Sequence, residues 1–127
     1  MKPKLILTVS AIYLGLVGLA LLIVPKYTFL GLDTDVSSLV LAQLRAMSDT
    51  YIGIAILNWL ARKADASKAR DAIFIGNAVG FTMSVVLGVN ISVVGGQLVS
   101  WIFTMLSLFC AVGFIVLCRT NMSTSSS

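Results

Sequence analysis

The chain is 127 residues long, which makes a single domain the default. Apolar residues supply 58% of it and charged residues only 11%, with a mean hydropathy of +1.01; that stock cannot cover a water-facing surface, so the bilayer is the implied solvent. Histidine and glutamate are absent and the net charge is +4, which excludes a Ser-His-Asp set, removes the commonest metal ligand, and leaves the placement of the basic residues as the informative feature.

Four apolar runs follow one another, over about 5–24, 39–60, 72–94 and 98–118. A helix rising about 1.5 Å per residue needs roughly 20 residues to span a ~30 Å hydrocarbon core, and each run supplies them. The runs are apolar on nearly every face, where a soluble helix would carry one stripe. The prediction is an all-α integral membrane four-helix bundle, one membrane domain over 1–127 with a polar tail from 119 to 127.

Lys2 and Lys4 precede the first run, as in a signal peptide, but the apolar stretch exceeds the ~7–15 residues of a signal core, so it reads as a retained span. Pro25 ends it. The segment from 25 to 38 carries Phe29, Leu30 and Leu32 among polar residues and is expected along the membrane surface. Asp33 and Asp35 read as helix-start residues, which suit free N–H groups and the helix dipole, in preference to a paired-carboxylate metal site. "ARKADASKAR" links the second and third runs, with Asp65 or Ser67 as the cap of the third. Gly95–Gln97 is a tight turn into the fourth. Cys110 and Cys118 lie eight residues apart on one apolar run, which a disulfide cannot bridge along a straight helix, and they read as core residues. No metal or cofactor is implied.

With four crossings, Lys2, Lys4, Arg62, Lys63, Lys68, Arg70 and Arg119 fall on one side and only Lys26 on the other. The positive-inside rule then makes both the N and C termini cytoplasmic, in a bacterial inner membrane. Trp59 and Trp101 sit near opposite interfaces.

Arg45 and Asp49 stand inside the second run. On an insertion scale each costs about 2.5–3.5 kcal/mol at mid-membrane, while a Leu, Ile, Val or Phe returns about 0.3–0.6. Nine such residues in the run roughly cancel the two charges, so this helix is a poor lone inserter. Four residues apart, the two charges share a helical face and can pair, near Ser38, Ala42, Ser48, Gly53 and Ile56. They are expected to turn inward as a buried polar core. Thr104 and Ser107 on the fourth helix fall near their depth and complete the expected polar site with Ser48.

The third helix repeats a small residue at every fourth position, Gly76, Gly80, Ser84, Gly88 and Ser92, and "GNAVG" is itself a G-x-x-x-G. Such a ridge lets another backbone approach closely, which drives helix association in lipid. Gly15 and Gly18, with Ala11, give the first helix a similar face. Asn77 lies nearer the cytoplasmic side; Asn58 and Gln43 point to other sides of the second helix.

At "LRAMSDTYIGIAILNWLARKADASKARDAI", followed by "GNAVG", the chain resembles small four-helix bacterial membrane proteins, and in layout it is similar to the DoxX-like families. The features that carry the likeness are Arg45 opening the second helix, the Trp59-x-x-Arg62 exit and the glycine-marked third helix. The resemblance implies a four-helix layout and no particular reaction. Ser48-Asp49 departs from it, since small or apolar residues would be expected there.

These observations favour a non-enzymatic accessory or structural subunit whose partners are membrane lipids and other membrane-protein subunits or itself. A small transporter or channel using Asp49 and Arg45 is the alternative; four-helix exporters of this size depend on a first-helix glutamate, which is missing. Enzyme chemistry lacks its residues, and no nucleic-acid module is present.

Overall fold

A computed structural model describes residues 2–25, 37–95 and 98–122. The described residues form four α-helices and no strand: α1 over Pro3–Ile23, α2 over Ser38–Ala61, α3 over Lys68–Gly95 and α4 over Leu98–Thr120. All four are long and apolar enough to cross a membrane.

Local chemistry sets the ends. Pro3 opens α1 at a position where a missing N–H costs nothing. Val24 N–H closes the helix on Ala20 O at 2.8 Å, and Pro25 follows. Ser37 caps α2, its Oγ accepting the Val40 N–H at 3.3 Å; Asp33 and Asp35, the residues expected at that start, lie outside the described residues, as do the surface segment around Phe29 and most of the 95–97 turn. Ser67, one of two expected caps, accepts the Arg70 N–H at 3.2 Å. α3 therefore begins about a turn before the apolar run does, because Lys68, Arg70 and Asp71 continue the helix where hydropathy has already fallen.

The helices alternate in direction. Along α1 and α2, Ser10 meets Asn58, Gly15 meets Ala55 and Gly18 meets Ile52, so numbers rise on one helix as they fall on the other. Gly88 against Thr104 and Arg70 against Asn121 give the same antiparallel sense to α3 and α4. Ile6 against Gly113 and Tyr13 against Ser107 join α1 to α4. Two hairpins, α1–α2 and α3–α4, thus meet along α1 and α4. Pro3 and Thr120 end up at the same end, together with the α2–α3 connection.

Glycines set the closest contacts. A Cβ on Gly18 would fall 2.7 Å from Ile52 Cγ1 and 3.1 Å from the Ile52 backbone nitrogen. One on Gly88 would fall 2.5 Å from Thr104 Oγ1, and one on Gly113 2.6 Å from Ile6 Cδ1. Around them an aromatic column fills the middle of the bundle: Tyr13 against Phe81 at 6.2 Å, and Phe81 stacked on Phe114 at 5.8 Å. Burial is uneven. Eight residues of α1 and eight of α4 are buried, but only Ser48, Ala55, Asn58 and Ala61 of α2.

Candidate functional site: a charged flank and an open cleft

The fully buried residues of α2 are small or polar, Ser48, Ala55, Asn58 and Ala61, with Ile52 half-buried beside them, and Ser48 and Ala55 fix the inward direction. At about 100° per residue, Arg45 and Asp49 stand roughly 70° and 110° around the helix from that direction. Both are exposed. This corrects the expected inward placement: the buried face of α2 is packed against α1, where Gly18 lies directly on Ile52 and Gly15 on Ala55.

The two charges are also not ion-paired with each other. Asp49 Oδ1 accepts the N–H of Thr50 at 2.6 Å and the Thr50 hydroxyl at 3.2 Å. Arg45 makes no side-chain hydrogen bond or ion pair among the described residues; its carbonyl accepts the Ser48 hydroxyl at 2.6 Å. Ala42, Ala46, Gly53 and Ile56 share the flank and are likewise exposed. A Cβ on Gly53 would meet nothing within 4 Å. The flank is therefore a strip of small side chains, Ala42, Ala46 and Gly53, bordered by Ile56, with one positive and one negative charge on it. Asp49 is at the middle of the 24-residue helix, so in a bilayer it sits near the midplane, where each unpartnered charge costs about 2.5–3.5 kcal/mol.

Thr104 and Ser107, expected beside these charges, are buried elsewhere and satisfied. Thr104 Oγ1 donates to Ser100 O at 2.8 Å and lies 3.3 Å from Ser92 Oγ. Ser107 Oγ lies 3.0 Å from the Tyr13 hydroxyl. They tie α4 to α3 and to α1.

On the other flank of α2 the chain opens. A cleft of ≈ 610 Å³ separates α2 from α3, with Met47, Tyr51 and Ile54 on one wall, Gly76, Gly80 and Ser84 on the other, and Leu14 and Phe81 behind. The small-residue ridge of α3 thus divides. Gly88 is closed against Thr104, whereas a Cβ on Gly76 or Gly80 would meet nothing within 4 Å. Arg45 and Asp49 do not line this cleft.

At the end of the cleft nearest the α2–α3 connection, the helices are joined by an amide pair. Asn58 Nδ2 donates to Asn77 Oδ1 at 2.8 Å, and Asn77 Nδ2 donates back to Asn58 Oδ1 at 2.8 Å. Asn58 Nδ2 also reaches Ser10 Oγ at 3.0 Å, and Asn77 Nδ2 reaches Ile73 O at 2.8 Å. Asn58 is wholly buried. This polar knot links α1, α2 and α3, and sequence reasoning, which placed Asn77 toward the cytoplasmic side and Asn58 away from the charged face without joining them, missed it. Their depth was the available signal: Asn58 precedes the basic connection by one turn and Asn77 follows Ser67 by under three, so both stand on the same side of the midplane.

The basic end is also built. The Arg62 guanidinium lies 3.5 Å over the Trp59 ring, and Arg70 donates to Ala64 O at 3.3 Å and to Asn121 O at 3.2 Å. Arg70 thereby ties the connection to the end of α4. Cys110 and Cys118 are both free thiols.

No family model matches the chain, and no curated protein or solved structure matches it either, so no family is identified for it.

Proposed function

We propose that the chain is a small multi-pass protein of the bacterial inner membrane that works by association, as an accessory or structural subunit, with its basic end in the cytoplasm. The observation that carries this reading is the flank of α2. Two charges, one at mid-span and one a turn away, exposed on the isolated chain and unpaired with each other, are costly against hydrocarbon and acceptable against protein. The small residues beside them permit the close helix approach that association in lipid requires. The gathering of Lys2, Lys4, Arg62, Lys63, Lys68, Arg70 and Arg119 at one end supports the orientation.

The test is a comparison of wild type with Arg45→Leu/Asp49→Leu, extracted gently and weighed by native mass spectrometry. Wild type is expected in a complex of fixed composition. The double variant, relieved of both charges, is expected to insert and fold but to be recovered alone. A wild-type chain that is monomeric and partnerless would overturn the reading.

The α2–α3 cleft supports a second reading, passage of a small apolar or amphipathic molecule. That reading uses the cleft and its amide pair, and Asp49, on the opposite flank, has no part in it. Gly80→Leu fills the cleft from a position with free space. In liposomes it should abolish flux while leaving any complex intact; unchanged flux would remove the cleft from consideration.

A further inference from the structure

The association reading leaves the occupant of the α2 flank unnamed, and the charges themselves point to one. The flank carries one base and one acid a single turn apart, with Arg45 nearer the end at which α2 begins. A parallel partner helix must offer an acid within one turn of Arg45 and a base within one turn of Asp49. A second copy of this chain carries both, at the same two depths, so each arginine has only to reach one turn along the contact to an aspartate on the other copy. In a membrane, two copies inserted with the same topology are related by a two-fold axis along the bilayer normal, and such an interface is self-complementary by symmetry. We propose that two copies dock through this flank, Arg45 of each pairing with Asp49 of the partner subunit.

Three features of the surface suit it. Ala42, Ala46 and Gly53 project little, and the open space at Gly53 lets two α2 helices come close. The vertical offset between Arg45 and Asp49 is one helical turn, about 5–6 Å, which the long arginine side chain spans while the short aspartate stays near its own backbone. The same side chains, although four apart on one helix, do not pair within the chain; Asp49 turns to Thr50 instead. The interface would convert two exposed charges per copy into two symmetric ion pairs, and it leaves the α2–α3 cleft on the far flank untouched.

The inference rests on the association reading, and charge reversal separates the two. Arg45→Asp gives a flank with two acids, and Asp49→Arg gives one with two bases. Each reversed chain faces itself with like charges, so self-association should fall at least tenfold. Co-expressed with different tags, the two reversed chains should capture each other, since Asp at 45 then faces Arg at 49 and Asp49 faces Arg45 across the contact. Intrachain pairs are not restored by mixing, so recovery of mixed dimers reports the contact between copies alone. Failure of mixing to restore dimers, while wild type still dimerises, overturns the proposed pairing. A wild-type chain found only with a different protein overturns the second copy and leaves the association reading standing; a chain found alone sinks both.

Should the reversed chains fail to accumulate, single cysteines decide the matter in a Cys110→Ala/Cys118→Ala background. Oxidation should cross-link copies through Gly53→Cys or Ala42→Cys and not through Met83→Cys, on the outward side of α3. Equal or absent cross-linking at the flank positions would overturn the proposal.

Discussion

Gly18 and Gly76 are both glycines within apolar spans, yet the two are expected to respond oppositely to a methyl group. At Gly18 the added carbon meets Ile52, first its Cγ1 and then its backbone nitrogen, which cannot rotate away. Gly18→Val should lower stability by about 1–3 kcal/mol, the usual cost of overpacking, in denaturant titration in mixed micelles. Gly76→Ala meets open space, so only alanine's better helix preference acts, and stability should rise by up to about 1 kcal/mol. The asparagines invite a double-mutant cycle. Asn58→Leu alone strands the Asn77 amide in an apolar surrounding and should cost about 1–2 kcal/mol. Asn58→Leu with Asn77→Leu should cost less than the sum of the singles, because neither amide is then left without the other. Additive losses would mean that the pair is not coupled.

Each helix presents several apolar faces, and that is why elements were more legible in the sequence than their neighbours. The spans could be read because run length is a property of one segment against one solvent. The start of α3 was misplaced by a turn for the same reason: hydropathy marks where lipid stops, and the helix continues through Lys68 and Arg70. The face bearing Gly76, Gly80, Ser84 and Gly88 was visible as a spacing. Which of those residues would be covered depends on the tilt of α3 against α4, and a ridge alone carries no record of its partner. Gly113 drew no attention because it stands outside any small-residue repeat, although Ile6 packs directly onto it. Arg45 and Asp49 do share one face, as their spacing implies, but they do not pair within the chain, and their direction was lost because inward was inferred from cost, when a cost can equally be met by a neighbouring molecule. Asn58 and Asn77 required knowing that α2 and α3 meet at one end only.

The molecule as a whole has a basic end and an opposite end where α2 begins. Single cysteines at Ala66, in the α2–α3 connection, and at Ser37, before α2, in the same cysteine-free background, test that polarity. A membrane-impermeant maleimide added to intact spheroplasts should label Ser37→Cys and leave Ala66→Cys untouched until the membrane is opened. Labelling of both from outside would refute the crossings, and the reverse pattern would invert the orientation.

The divergence of the two hairpins at α2 and α3 has one more consequence. The gap between them faces sideways, so in a bilayer its mouth opens onto acyl chains. A guest approaching the asparagines by that route would partition into the leaflet first and diffuse in two dimensions afterwards. Its occupancy would then track mole fraction in the lipid, and two guests of equal intrinsic affinity would rank by oiliness whenever titrations were plotted against bulk concentration.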